Sequence, residues 1–291
     1  MRHGPWDARR IADVRIDAHQ HFWRYNQADL PWITAEMSVL MADHLPENLA
    51  PILAAEEIDG TILVQARHSE DETRWLLELA DQNPFIRGVV GWVDLSHCDV
   101  DGRLQRMQHP KLRGIRHILQ DEPDPDFMLH TAFRSGISRL ADHGLTYDLL
   151  LFPAYLRGAS SLVAEHSHVS FVLDHLGKPP VLAGRDVPRG WRDDLRRLAD
   201  HGNVMCKISG MVTEAVWSDW SPEDFNPYLD AVMSSFGPDR VMFGTDWPVC
   251  LLAADYAGVL GIVEQYAKEM TPEHREALFG GNAARFYGLD P

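Results

Sequence analysis

Asp17, His19 and His21 stand at two-residue intervals in the stretch IDAHQHF (16–22). On a β-strand, residues two apart share a face, so the carboxylate and both imidazoles should point one way. Val14, Ile16 and Ala18 would then form an opposite apolar face suited to packing under a helix. Two more ionisable groups end β-rich runs far along the chain, His175 in LDHLG and Asp246 in FGTDWP. Three imidazoles and a carboxylate are ligand types that zinc favours. They are equally the groups that move protons near neutral pH. An HxH pair alone is a weak signal, because two strand histidines can be satisfied core polar groups. Four such groups at the ends of three strands, with His175 and Asp246 each ending its own, make a catalytic mouth.

The elements that must position them can be counted along the chain. Short β-rich runs occupy 14–22, 59–66, 86–94, 112–119, 145–151, 170–177, 203–210 and 240–248. Between them lie amphipathic stretches such as 69–82, 188–202 and 221–237, the last with Ser221 as N-cap and Glu223 and Asp224 in its first turn. Strand and helix alternating eight times is the pattern of an α/β chain folded as a single (β/α)8 TIM-type barrel. A doubly wound open sheet is the rival, but no GxGxxG or GxxxxGK[ST] phosphate turn occurs. Barrel enzymes carry their active sites at the carboxyl ends of the strands, where His19, His21, His175 and Asp246 all fall. The connection 23–46 has the length of a lid and carries Trp23, Tyr25 and Trp32. The segment 279–289 reads as a short closing helix capped by Asn282. Residues 1–13 read as a flexible extension and 14–291 as the barrel domain.

Composition bounds the setting. A formal charge of −16 over 291 residues argues against a nucleic-acid partner, which needs a basic face. No run of about 18 apolar residues is present, so no membrane span is expected. The first residues lack the apolar core of a secretory signal. Cys98, Cys206 and Cys250 are scattered without CxxC spacing, which suits a reducing cytoplasm.

The phrases IDAHQHFW, LRGIRHIL, DHLGKPP, FGTDWPV and GGNAARFYGL, spread from about residue 14 to 289, resemble the amidohydrolase superfamily, in particular its lactonase branch. DLPWI and LVQARHSEDETRWLLELA are most similar to the L-fuconolactonases of that branch. Where many amidohydrolases carry a carboxylated lysine on strand four and a histidine on strand five, this chain reads LRGIRHIL and LTYDLLL, so a bridged two-metal centre is not expected. The resemblance implies opening of a small sugar lactone with no cofactor required, at a site that can still capture a single zinc through His19, His21, His175 and Asp246. A monomer or homodimer is expected.

A lactone needs an activated water, a polarised carbonyl and a proton for the departing alkoxide. Asp246 is the expected base, a role helped if partial desolvation lifts it above the ordinary aspartate value near ~4. His19, His21 and His175 would donate hydrogen bonds to the carbonyl oxygen, or zinc would replace them as Lewis acid. Asp17 would either orient a histidine or form a structural ion pair. Substrate contacts are expected from Arg116 and His117, neighbours that face opposite ways on a strand but that the resemblance puts near substrate. Lys207, Asp148 and Gln65 are inward-facing polar groups, and Trp32 and Trp247 offer a sugar face. The rival activities are a pyrone-dicarboxylate-type lactonase, which needs free cations for two carboxylates, and a metal-dependent decarboxylase. A silent binding barrel is the third alternative.

Overall fold

The computed structural model describes residues 14–124, 126–182 and 186–289, so the expected N-terminal extension lies outside the described residues. Eight strands pair in chain order: β1 (Ile16–Gln20), β2 (Gly60–Val64), β3 (Ile86–Gly91), β4 (Leu112–Ile118), β5 (Thr146–Leu150), β6 (Phe171–Leu173), β7 (Val204–Ile208) and β8 (Val241–Phe243). Every neighbouring pair is parallel. The ring closes just above β8, where Gln20 bridges to Trp247 and the Asp246 N–H donates to His19 O at 2.8 Å. This is a (β/α)8 barrel.

The strands are joined by α1 (Pro46–Ala55), α2 (Glu70–Gln82), α3 (Val100–Arg106), α4 (Thr131–Arg139), α5 (Leu156–Glu165), α6 (Arg189–Ala199) and α7 (Asn226–Phe236); α8 (Tyr256–Tyr266), α9 (Pro272–Glu276) and α10 (Asn282–Phe286) follow β8. Ser69 caps α2 by accepting from the Glu72 N–H. Glu72 folds back under the mouth, where it accepts from the Ala66 and Arg67 N–H groups and shapes the β2 loop. Ser221 forms a reciprocal cap with Asp224, but over a short 3-10 turn (Pro222–Phe225) that runs on into α7.

Two buried clusters separate the inside of the barrel from its outside. Ile62, Val64, Val90, Val172, Met205 and Met242 meet within the ring, closed at one end by Ala283 and Tyr287. Leu63, Val89, Leu173, Cys206 and Phe243 alternate with them and pack outward on helix residues such as Leu76, Leu195 and Val259. Strict alternation thus holds for most strands.

It fails on β1. Ile16 and Ala18 belong to the inner cluster, contrary to the expected packing under a helix. Asp17 points outward to Tyr256 of α8. The cause is a bulge: Asp17 pairs with Thr61 and Gln20 with Leu63, so three steps on β1 match two on β2. The extra residue shifts the phase, and His19 and His21 face inward although Asp17 does not.

One smaller expectation is also corrected. Asn282 does not cap the closing helix. It is buried as the first residue of α10 and donates to Pro238 O at 2.7 Å and Val241 O at 2.6 Å, latching that helix to the start of β8. The 23–46 connection is a packed flap with its own small core of Trp23, Leu30, Ile33 and Leu40. Reciprocal backbone bonds between Trp23 and His44 close its base.

Candidate active site

His21, His175 and Asp246 line one cavity of about 330 Å³ at the carboxyl end of the barrel, and His19 lies fully buried just beneath. The volume falls in the range of small-molecule sites, roughly 300–1,000 Å³. β6 stops at Leu173 and β8 at Phe243, so His175 and Asp246 stand on turns beyond the strands, both with left-handed backbone (φ 54° and 62°). Gly210, after β7, makes room for them: a Cβ there would meet His175 Nδ1 at 2.6 Å, and its φ of +61° suits glycine.

Asp246 Oδ1 lies 3.2 Å from His21 Nε2, 3.8 Å from His19 Nε2 and 3.9 Å from His175 Nε2. Burial alone would raise the Asp246 carboxyl, but the imidazoles of His175, His21 and His19 outweigh it and hold the group below the usual carboxylate range. The expected lift by desolvation therefore does not occur. Burial pulls His175 down to about 4 despite Asp246 and Asp174 nearby, and lowers His19 strongly.

Hydrogen-bond partners determine which nitrogens carry protons. His21 Nδ1 sits 2.7 Å from Val64 O, and a carbonyl only accepts, so Nδ1 bears the hydrogen. His19 Nε2 lies 3.2 Å from Arg116 NH1, which only donates, so Nε2 keeps its lone pair. Its Nδ1 lies 3.3 Å from Asp174 Oδ1, which accepts its hydrogen, while the Lys207 ammonium 3.2 Å from Nδ1 turns its own hydrogens to Asp148 and Asp174. Neutral His19 and His21 thus present lone pairs to each other, 3.2 Å apart, and to a carboxylate. That cluster of lone pairs suits a cation such as a metal ion. His19, His175 and Asp246 offer ligand atoms within 4.8 Å of one another, so the donor set fits zinc. The same tautomers remove neutral His19 and His21 as donors to a substrate carbonyl.

Below this layer is a buried charge network. Lys207 Nζ contacts Asp148 Oδ2 at 2.5 Å, Asp174 Oδ1 at 3.0 Å and His19 Nδ1 at 3.2 Å. Arg116 NH1 contacts Asp174 Oδ2 at 3.1 Å, and its NH2 donates to Gln65 O and, at 3.1 Å, Gln65 Oε1. Tyr287 reaches up from the barrel floor to donate to Asp148 Oδ2 at 2.8 Å. Burial raises Asp148 to about 6, despite Lys207. Asp174 is held well below its ordinary range, because Lys207, His19 and Arg116 outweigh its burial.

Among the residues expected to touch substrate, Arg116 and Trp32 line the cavity. Lys207, Asp148 and Gln65 are fully buried supports of the layer above. Trp247 is buried edge-on against Phe22 and His44, leaving no free face for a sugar. His117 points away from the mouth, stacked on Phe127 and bonded to Glu122 at 2.6 Å. Asp17 accepts from Thr245 N, Thr245 Oγ1 and Tyr256, tying β1 to the β8 loop and to α8, with no ion pair among the described residues.

Several groups escaped the sequence reading. Asp174 adjoins His175 just past the end of β6, where the chain has left the strand and neighbours no longer face opposite ways. Gln120, Asp121, Phe152, Lys178, Glu214 and Trp217 also line the cavity. All sit on loops after strands, the one signal that could have found them.

His68, His117 and Glu122 form a second group with metal-like spacing. Ile118 N–H donates to His68 Nε2, and Trp92 Nε1–H donates to His117 Nδ1. Burial lowers both rings to about 4, so each is neutral at pH 7 with its single proton on the other nitrogen. Neither retains a lone pair for a metal, and the group serves to hold the β2 and β4 loops together.

Comparison with known proteins places these features in context. The amidohydrolase family model matches residues 16–289. An L-fucono-1,5-lactonase of Burkholderia multivorans is 45% identical over 287 residues, 95% of this chain and 96% of the relative. An L-fucono-1,5-lactonase of Burkholderia ambifaria is 36% identical over 285 residues, again 95% and 96%. A crystal structure of a Burkholderia multivorans amidohydrolase with bound zinc superposes with a TM-score of 0.92 at 44% identity, covering 95% of this chain and all of that one.

Proposed function

From the premise that the chain belongs to the amidohydrolase family, we propose that it is a lactonase that opens L-fucono-1,5-lactone, or a closely related aldonolactone, to the aldonic acid in sugar catabolism. The observation that carries this reading is an ionised carboxylate, Asp246, facing the same cavity as the Arg116 side chain.

Asp246 holds the attacking water and accepts its proton as the water adds to the carbonyl carbon. The positive charge of Arg116, which lines the cavity, stabilises the oxyanion. His175 Nε2–H joins it, since the Ser209 hydroxyl 2.8 Å from Nδ1 can donate there and leave the ring proton on Nε2. Protonated Asp246 then hands its proton to the departing ring oxygen. His19, His175 and Asp246 would hold a zinc, which when bound would supply Lewis acidity; turnover is proposed not to require it.

The charge balance of the cavity favours a neutral lactone over a dicarboxylate. Arg116 is paired with Asp174, Lys178 with Glu214 at 2.5 Å, and Arg67 with Asp29 and Glu72 away from the cavity. Asp121, Glu214 and Asp246 add negative charge to the walls. A cytoplasmic monomer or homodimer fits three unpaired cysteines, and no helix among the described residues is long and apolar enough to cross a membrane.

The test is proton release from L-fucono-1,5-lactone by chelator-treated protein, with Asp246→Asn as control. Turnover lost in the variant supports the reading. Turnover only after zinc is restored would overturn metal independence, and silence in both conditions would overturn the lactonase.

A further inference from the structure

Four consecutive residues after β6, His175, Leu176, Gly177 and Lys178, all have left-handed backbone, with φ of 54°, 56°, 72° and 52°. L-residues rarely enter this region in succession, and such a run persists only where its surroundings hold it. Here the Lys178 N–H donates to His175 O at 2.7 Å, and Trp191 Nε1–H donates to Leu176 O at 2.8 Å. The turn brings His175 and Lys178 to the same cavity. Lys178 Nζ meets Glu214 Oε1 at 2.5 Å, across from the loop after β7.

We propose that the Lys178–Glu214 pair reads two neighbouring hydroxyls of the lactone and so sets the preference for a polyhydroxylated ring. This rests on the lactonase reading and names the part of the substrate that the catalytic groups leave unread. An ammonium has three hydrogens and a carboxylate two acceptor oxygens, so each partner keeps capacity after the pair is made. One hydroxyl accepts from Lys178 while its neighbour donates to Glu214. Much of the remaining lining, including Trp32, Phe152 and Trp217, is aromatic and covers the ring's carbon face.

The experiment compares L-fucono-1,5-lactone with δ-valerolactone, the same ring without hydroxyls, in wild type, Glu214→Gln and Lys178→Met. The expected result is a loss of selectivity: the ratio of kcat/KM values for the two lactones falls about tenfold or more in each variant, mainly through KM. Glu214→Gln is nearly isosteric and guards against a folding failure at Lys178. An unchanged ratio in Glu214→Gln, or an equal fall on both lactones, would overturn the proposal. Wild type inactive on both lactones would overturn the lactonase reading and this inference with it.

Discussion

Arg116 and Asp174 meet at 3.1 Å at the floor of the cavity, Arg116 lining it and Asp174 buried beneath, and Asp174 uses its other oxygen on Lys207 at 3.0 Å. Fixing the guanidinium from below leaves Nε as its one nitrogen without a partner among the described residues. Replacing Arg116 with Met should lower kcat by about 10²–10³-fold, the typical cost of a lost oxyanion donor. Steady-state kinetics on the lactone check this, and a variant that keeps wild-type kcat would remove Arg116 from the mechanism. Asp174→Asn should cost about 3–5 kcal/mol in urea unfolding, because two buried cations lose a shared partner.

The pH profile should lack an inflection at the ordinary histidine value. Burial brings His175 down to about 4, and the imidazoles hold Asp246 below the usual carboxylate range. Both are therefore already in their working forms, neutral and ionised, well below pH 6. For chelator-treated protein, kcat/KM should stay flat from about pH 5 to 8 and fall only toward pH 4. A half-loss near pH 6.5 would contradict the assignment.

Stability should show a signature of Asp17. Burial raises its carboxyl to about 6, against hydrogen bonds from Thr245, His19 N–H and Tyr256. A folded value above the unfolded one of 3.8 means the native state holds the proton more tightly. The Asp17 contribution is thus present at low pH and declines as pH rises from about 4 to 6. Tyr256→Phe removes a donor to the ionised form, so its cost of about 1–3 kcal/mol should be larger at pH 8 than at pH 5. Urea unfolding at the two pH values measures the difference, and an equal cost would mean that Asp17 does not titrate between them.

Gly210→Ala should disable the site while leaving the barrel folded. The new Cβ would fall 2.6 Å from His175 Nδ1 and 3.2 Å from Asp246 Oδ2, in a backbone conformation that alanine resists. His175 must then leave Ser209. A fall in kcat of about tenfold or more is expected with near-native circular dichroism. Full activity would show that the ring position is not critical.

Chain order and residue type were enough to count eight strands, to place four reactive groups at one end of a barrel and to name the family. These features repeat locally: alternating hydrophobicity, turns between strands, and motifs read within a few residues. The sequence reading went wrong wherever a side chain's direction depended on something other than alternation. The extra residue of β1 turned Asp17 outward while His19 and His21 stayed in, and the left-handed turn after β6 brought Asp174 and His175 into one site although they are neighbours. Burial depth was equally hidden. Lys207 and Asp148 face inward as the strand pattern implies, but they lie a layer too deep to touch a substrate. Which nitrogen of each histidine bears a proton depended on a carbonyl from β2 and a guanidinium from β4. Those contacts join residues 43 and 97 positions apart, and only closure of the ring brings them within hydrogen-bond range.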